Sequence, residues 1–251
     1  MTINRYDGAT SSFVQAEYRG QMPCFRYDST SGRWLDQYLT DGLIAYWSME
    51  TVHTDTGTLL DASGNAHDGT LKNGVTTDQS GPIGQSYGFD GTDDHVSVAT
   101  VGLEVFSIVG WVYPRSPSSF DALSSQGTAS NGTRNWWLGR DKNDDKALFS
   151  LQDSGNNYNL TSSIGSLPRD TWTHIAGIYD GADMRIYVDG SFDAAQTIDT
   201  TPVTSDSLGA IGAGKQGSDF HFDGYATDVR VYDRVLSEAE LTALYKQGLT
   251  A

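Results

Sequence analysis

The stretch that most constrains what this chain can fold into lies near its end, at residues 222–248. It contains the run DVRVY, in which Val229 and Val231 alternate with Arg230 and Tyr232. Successive side chains of a β-strand point to opposite faces. The alternation therefore predicts a half-buried strand close to the C-terminus, with the two valines on its apolar face.

The same stretch continues directly into a short helix. Ser237 and Glu240 form an S-x-x-E capping box, a pattern in which each side chain bonds the other residue's backbone N–H. Leu241 and Leu244 then fall at helical spacing, and Gly248 ends the segment. The rest of the chain shows strand signals, so the sequence predicts an all-β fold with one capped helix at its end.

Residues 224–241 resemble the C-terminal signature of the laminin-G-like, concanavalin A-like jelly-roll domains. That signature runs roughly G-x-[ILA]-D-[DE]-[VL]-[RK]-[VIL]-[YW]-x-R-x-L-[ST]-x-x-E-[IL]. The matching positions here are Gly224, Ala226, Asp228, Val229, Arg230, Val231, Tyr232, Arg234, Leu236, Ser237, Glu240 and Leu241. Thr227, before the aspartate, departs from the pattern.

Further segments resemble the strands and turns of this family, in the family's order: 42–48, 61–71, 87–96, 106–112 and 172–190. The resemblance implies a two-sheet antiparallel jelly-roll sandwich with one short C-terminal helix, which we expect to occupy residues 41–251. The strand segments alternate apolar and polar residues, as two packed sheets require. Residues 1–40 are expected to form a separate, small β-hairpin segment.

The charge balance limits the partners that this chain can have. Its formal net charge is −16, from 16 basic and 32 acidic side chains. Nucleic-acid binding needs a basic footprint, so no nucleic-acid partner is expected. No apolar run reaches membrane-spanning length, so no membrane span is expected either. Such an acidic surface is typical of proteins from high-salt environments, although a generic acidic extracellular protein would share it.

Residues 1–40 contain an internal repeat with an offset of 21 residues: RYD at 5–7 returns at 26–28, and FV at 13–14 returns as WL at 34–35. Each copy predicts a β-hairpin, and two hairpins cannot bury a core alone. We therefore expect this segment to dock on a partner. The candidate contact residues for oligomerisation are Tyr6, Phe13, Tyr27, Trp34 and Leu35.

The hairpin repeat is similar to the N-terminal attachment segments of phage tail fibres and other virion appendages. This resemblance implies that the chain joins other virion proteins through residues 1–40. Burial of the many aromatic side chains of this segment against neighbouring copies further predicts a homo-oligomer, either a trimer or a pentamer. Closed cyclic symmetry is the usual outcome of such self-association. The N-terminus has no apolar segment of the kind that marks an export signal. Virion proteins assemble inside the cell and need none, so the predicted location is the virion surface, with an extracellular or cell-surface location as the alternative.

A calcium site is the first candidate for bound chemistry. Ca²⁺ takes six to eight oxygen ligands, which a turn such as DASGN at 61–65 can supply. In the family a structural Ca²⁺ often lies between this turn and the aspartate of the last strand. The resemblance therefore implies Asp61 and Asp228 as ligands, with Asn65 as a further one. An Asx turn at Asp61 and a structural hydrogen bond at Asp228 would explain the same residues without a metal.

A glycan site is the second candidate. Sugars are held by an aromatic face and a few polar groups, and Trp136 and Trp137 are adjacent on a predicted strand. Neighbours on a strand face opposite ways, so at most one of the two faces the core. Asn156 and Tyr158 fall on a nearby predicted loop and complete the candidate set. The alternative is that both tryptophans are packing residues.

The sequence does not predict catalysis. Jelly-roll glycosidases carry paired carboxylates in the pattern E-x-D-x-x-E, and none of the glutamates fits it. The predicted function is a non-enzymatic virion surface structural protein, a spike, turret or fibre component from a high-salt system, whose jelly roll contacts a host surface or glycan. The alternative is a secreted or cell-surface carbohydrate-binding lectin, and a weaker alternative is a glycoside hydrolase.

Overall fold

A computed structural model describes most of the chain. The described residues are 2–7, 12–17, 25–28, 33–36, 39–50, 52–53, 57–99, 101–115, 121–127, 134–141, 145–153, 157–163, 165–198, 209–214, 217 and 219–249. Before residue 39, and at 52–53 and 134–135, the description is limited to the backbone.

The N-terminal segment contains two antiparallel hairpins. The first pairs β1 (Thr2–Asp7) with β2 (Ser12–Glu17), and the second pairs β3 (Phe25–Asp28) with β4 (Arg33–Asp36). Tyr6 lies opposite Phe13, and Tyr27 lies opposite Trp34, so the register repeats at the predicted offset of 21 residues. The two predicted hairpins are confirmed. The side chains proposed to drive oligomerisation, including that of Leu35, lie outside the described part of the chain, and that role stays a prediction.

The remaining elements form the jelly roll. They are β5 (Leu43–Trp47), β6 (Val52–His53), β7 (Thr58–Leu59), β8 (Gly69–Lys72), β9 (Thr76–Ser80), β10 (Gln85–Asp90), β11 (His95–Val98), β12 (Phe106–Pro114), β13 (Asp121–Gly127), β14 (Arg134–Asp141), β15 (Lys146–Gln152), β16 (Asn157–Thr161), β17 (Thr173–Tyr179), β18 (Asp183–Val188), β19 (Ser191–Thr197), β20 (Gly209–Ile211), β21 (Asp223–Tyr232) and α1 (Glu238–Gln247). Sheet I has the order β19-β18-β17-β12-β21-β10-β9, with β5 also paired to β21. Sheet II has the order β16-β15-β14-β13-β20-β11-β8-β7-β6. All of these pairings are antiparallel, so the predicted two-sheet architecture is confirmed.

The main core lies between the two sheets. Phe106 of sheet I contacts the rings of Trp136 and Phe149 of sheet II, at centroid separations of 5.4 and 6.2 Å. Val229 and Val231 of β21 belong to the same core, as their alternation predicts. Buried side chains of this size each contribute about 1.5–3 kcal/mol to stability, so aromatic contact across the sheets holds the sandwich together.

Helix α1 packs on the outer face of sheet I. Its capping box is present, because the Ser237 side chain accepts from the Glu240 backbone N–H and the Glu240 side chain accepts from the Ser237 N–H. Leu241 and Leu244 are fully buried against that face, together with Tyr232 of β21. The predicted helix is therefore confirmed, and it covers the outer face of sheet I around Tyr232.

The helix also corrects the expectation that the last strand is half-buried. Residues 226–232 are all buried, including Arg230 and Tyr232 on the face that the alternation marked as polar. The reason is that α1 folds back over this face, and Tyr232 packs beneath Leu241 and Leu244. Among the described residues, no helix is long and apolar enough to cross a membrane.

Candidate functional site

Three aromatic side chains lie next to one another on the outer face of sheet I, beyond the end of the helix. Tyr113 of β12 lies opposite Tyr225 of β21. Thr173 lies opposite Val112, which places Trp172, just before β17, beside Tyr113. All three side chains are half-buried. We call Trp172, Tyr113 and Tyr225 the aromatic row.

The rings of the aromatic row contact one another in sequence across three strands. The Tyr113 centroid lies 5.6 Å from that of Trp172 and 5.7 Å from that of Tyr225. The interplanar angles are 58° and 51°, so the rings are tilted relative to one another. Aromatic pairs at such distances and tilts stabilise each other. The row is therefore a supported, partly exposed apolar surface.

An ion pair closes the Tyr225 end of the row. The Nη2 atom of Arg115 lies 2.9 Å from Oδ1 of Asp223 and donates to the backbone oxygen of Phe89 at 2.8 Å. The Arg115 guanidinium also lies over the Tyr225 ring, 4.9 Å from its centroid. Both charged side chains are partly exposed, Arg115 by 39% and Asp223 by 28%. The row thus ends in one planar cation and one carboxylate that solvent can reach.

A glycine gives Tyr225 its place. Gly88 of β10 lies opposite Tyr225 in the register. A Cβ on Gly88 would come within 2.4 Å of Thr76 Oγ1 and 3.0 Å of the Tyr225 ring. The first distance is shorter than real Cβ contacts and the second is tighter than most of them, so a side chain here would press on Thr76 and on the Tyr225 ring. Gly88 therefore lets the Tyr225 ring lie close against the neighbouring strand.

One side of the row, along strand β12, is bordered by the last turn of α1. Tyr245 stacks on Trp111, which is two residues before Tyr113 on the same face, with centroids 5.6 Å apart. His174 lies opposite Trp111 on β17, and its ring centroid is 5.4 Å from that of Trp111 and 6.4 Å from that of Tyr245. Burial, helped by the charge of Arg230, lowers the pKa of His174 to about 3. This imidazole is neutral at physiological pH and belongs to the buried aromatic cluster beside the row.

The residues that the sequence marked for glycan contact lie elsewhere. Trp136 is 2% exposed within the main core, and Trp137 is 5% exposed on the outer face of sheet II, where it packs against Phe220. The two tryptophans do face opposite ways, but neither presents a free ring face of any size. Tyr158 packs against the core and donates to Asp153, and Asn156 lies outside the described residues.

The predicted calcium ligands near the start of the sandwich already hold the chain together. Asp61 Oδ1 accepts from the N–H groups of Tyr46 and Ser63, and Oδ2 accepts from the Ser63 hydroxyl and the His67 N–H. Asn65 donates through its amide nitrogen to the carbonyls of residues 43 and 44. Donors surround both oxygens of Asp61, which is the arrangement of an Asx-type turn.

The third predicted ligand, Asp228, is fully buried on β21 at an interruption of the register with β12. Its Oδ1 accepts from Nε and Nη2 of Arg230, at 3.2 and 2.7 Å. The Asp61 turn bonds to one edge of β5 through Tyr46, while β21 pairs with the other edge. Strand β5 therefore lies between the two carboxylates. The calcium prediction stays a prediction, and these contacts favour its structural alternative.

A cluster of acidic side chains borders the Asp223 end of the row. Asp90, Asp93 and Asp94 bring one carboxylate oxygen each within 4.8 Å of one another. Asp90 lies opposite Asp223 in the register. Hydrogen bonds from backbone N–H groups, led by that of Thr92, hold the pKa of Asp90 below its usual value. This end of the row is consequently rich in negative charge at neutral pH.

Sequence analysis missed the aromatic row because its members are far apart in the chain. They lie on or beside three different strands that only the fold makes neighbours, β12, β17 and β21. The sequence does contain one local signal of an aromatic surface, because Trp111 and Tyr113 are two residues apart and therefore lie on the same face of β12. Tyr225 of β21 lies on that face as well. Strand pairing was needed to join them.

Comparison with known proteins places the chain in a family. The family model of the concanavalin A-like lectin/glucanases superfamily, Laminin_G_3, matches residues 90–242, more than half of the chain. The chain therefore belongs to this superfamily, as the sequence signature implied. No curated protein sequence matches it significantly.

Solved structures share the fold. Domain 4 of AbnA, a GH43 extracellular arabinanase from Geobacillus stearothermophilus solved in complex with arabinotriose, superposes with a TM-score of 0.64 at 20% identity, covering 81% of this chain and 98% of that one. The binding domain of Paraclostridial Mosquitocidal Protein 1 gives 0.65 at 17% identity, covering 85% of this chain and 54% of that one. The receptor-binding domain of botulinum neurotoxin type G gives 0.62 at 17% identity, covering 82% and 51%. This chain thus spans about half the length of the toxin domains.

Proposed function

We propose that this chain is a glycan-binding module and that the aromatic row is its binding surface. One observation carries the proposal: three aromatic rings, joined through Tyr113, stay partly exposed beside an accessible ion pair on the outer face of sheet I. Aromatic faces supply apolar contact for the C–H face of a sugar, and a few charged groups supply orientation. Membership of the superfamily and the arabinotriose complex of the AbnA domain support this function.

We propose that the module binds without hydrolysing its ligand. Glycoside hydrolysis needs two carboxyl groups flanking one glycosidic bond. Asp223 is paired with Arg115, and backbone N–H groups bond to Asp90, the carboxylate opposite it, and hold the pKa of Asp90 below its usual value. These contacts support a binding role rather than an acid–base pair.

A glycan array probed with the full chain tests the binding function. Trp172→Ala should lower affinity for any glycan that binds roughly tenfold or more, because a central aromatic contact contributes about 2 kcal/mol or more. The matched control is Phe192→Ala, since Phe192 is an aromatic residue, 52% exposed, on the edge strand β19 and outside the row. Equal losses in the two variants, or no loss in either, would contradict the proposal.

We also propose that the module works on a virion surface in a high-salt system, as a homo-oligomer joined to other virion proteins through residues 1–40. The two N-terminal hairpins support this setting, because an isolated hairpin is marginally stable and gains from pairing with a partner. The net charge of −16 supports the high-salt origin. Mass spectrometry of purified particles tests the setting: the chain should be among the particle proteins, and its absence from them would leave the secreted lectin as the better account.

A further inference from the structure

We infer that the aromatic row selects neutral glycans that offer a pair of adjacent hydroxyls, and that it discriminates against glycans carrying a carboxylate or a sulfate. The inference rests on the proposed function and specifies the ligand class of the same surface. It follows from the charges at the Asp223 end of the row and from the bonds that those charges already make.

First, the positive charge at the row, that of Arg115, is already paired with the carboxylate of Asp223. Nη2 of Arg115 is shared between the Asp223 carboxylate and the Phe89 carbonyl, at 2.9 and 2.8 Å. Nη1 reaches the Tyr225 hydroxyl at 3.4 Å. An anionic sugar would have to compete with Asp223 for the guanidinium, so it would lose the contact that normally makes arginine a carboxylate receptor.

The second step is that the surrounding charge is negative. Asp90 lies opposite Asp223 on the adjacent strand, and Asp93 and Asp94 follow it in the turn. At the other end of the row, Asp170 is exposed, and its backbone N–H bonds to the Pro114 carbonyl. The nearby cation Arg169 lies 4.0 Å from the carboxylate of Asp145. At the Trp172 end Arg169 and Asp170 offset each other, so an anionic glycan would meet like charge at the Asp223 end of the row.

The third step is that the ion pair suits hydroxyls. Asp223 accepts hydrogen bonds and Arg115 donates them, and both remain partly exposed. Each sugar hydroxyl can donate and accept, so two adjacent hydroxyls can bond the carboxylate and the guanidinium at the same time. Hydrogen bonds to charged groups contribute about 1.5–3 kcal/mol, roughly twice the value for neutral pairs. The polar end thus complements a neutral diol, with no unpaired charge left over.

The test is a glycan array on which each neutral oligosaccharide is printed beside its sialylated, uronic acid and sulfated counterparts. The full chain should bind neutral members at least roughly tenfold more strongly, at an ionic strength of about 0.15 M, where charges beyond about 8 Å are screened. Asp223→Asn keeps the size of the side chain but removes the charge that pairs with Arg115. It should therefore weaken the binding of neutral glycans and reduce the preference for neutral over anionic glycans several-fold. Asp90 is exposed, and the amide oxygen of an asparagine can still accept the hydrogen bond from the Thr92 N–H. Asp90→Asn should therefore reduce the preference for neutral over anionic glycans without changing the ion pair of Arg115 and Asp223.

The outcomes separate the two proposals. Equal or stronger binding of the anionic counterparts, with Trp172→Ala still weakening it, would overturn the inference and leave the glycan-binding function standing. An unchanged preference in both aspartate variants, with folding verified by thermal melting, would also overturn it. Binding of no glycan of either class would overturn the inference together with the proposed function.

Discussion

Replacement of His174 by phenylalanine tests whether the buried aromatic cluster beside the row contains a neutral imidazole. His174 is fully buried beside the stacked rings of Trp111 and Tyr245, and neither of its ring nitrogens has a hydrogen-bond partner. Burial, with a smaller contribution from Arg230, lowers its pKa from 6.5 to about 3. An aromatic ring without nitrogens keeps the stacking and removes the group that titrates.

The pH dependence has a definite sign. At a pH between about 3 and 6.5 the unfolded chain protonates this histidine and the folded chain does not, so folding loses stability as the pH falls through that window. At about pH 5 the loss amounts to roughly 2 kcal/mol, since one pKa unit corresponds to 1.36 kcal/mol. The opposing contribution of Asp189, whose pKa is raised by burial, is common to both proteins and cancels in the comparison.

Urea unfolding at about pH 7.5 and pH 5 measures the effect. Between these two pH values, the free energy of unfolding of the natural protein should fall by roughly 2 kcal/mol more than that of His174→Phe. Any packing cost of the larger ring affects the variant at both pH values and drops out of this difference. The same pH dependence in both proteins would refute the assignment of a neutral, buried imidazole.

Three further predictions concern other parts of the chain. Asp61→Ala should lower the free energy of unfolding by about 2–4 kcal/mol, because four hydrogen-bond donors lose their acceptor. A chelator should not change this loss, and a lower melting temperature of the natural protein in chelator would instead support the calcium site. Deletion of residues 1–38, which keeps the buried Leu39 and its carbonyl that accepts from the Tyr232 hydroxyl, should leave a folded monomeric sandwich. Light scattering that finds the full chain monomeric as well would contradict the oligomerisation role. Stability should rise from dilute buffer to molar salt as acidic repulsion is screened, and a flat response would contradict the high-salt origin.

The architecture could be predicted because its signals are local. The alternation at 229–232 fixes which side of β21 faces the core, and the capping box fixes where α1 begins. The N-terminal hairpins follow from a repeat that is visible in the sequence. Each of these inferences depends on residues within one strand, turn or helix.

The candidate site could not be predicted in the same way, because it depends on strand order. Tyr113 and Tyr225 become neighbours only when β12 pairs with β21, and Trp172 joins them only through β17. Adjacency in sequence was misleading for Trp136 and Trp137, since neighbours on a strand face opposite ways and both faces of β14 are covered. Burial of Arg230 was equally hidden, because the helix that covers it comes later in the chain.

The indole N–H signals of the six tryptophans in an ¹H–¹⁵N correlation spectrum show directly whether a glycan binds at the aromatic row. The Trp172 signal is identified as the one lost in Trp172→Ala, and those of Trp136 and Trp137 are assigned in the same way with phenylalanine variants. On addition of a neutral oligosaccharide that binds on the array, the Trp172 signal should shift, while the signals of Trp136 and Trp137 should keep their positions. A shift at Trp136 or Trp137 with Trp172 unchanged would contradict the assignment of the aromatic row as the binding surface.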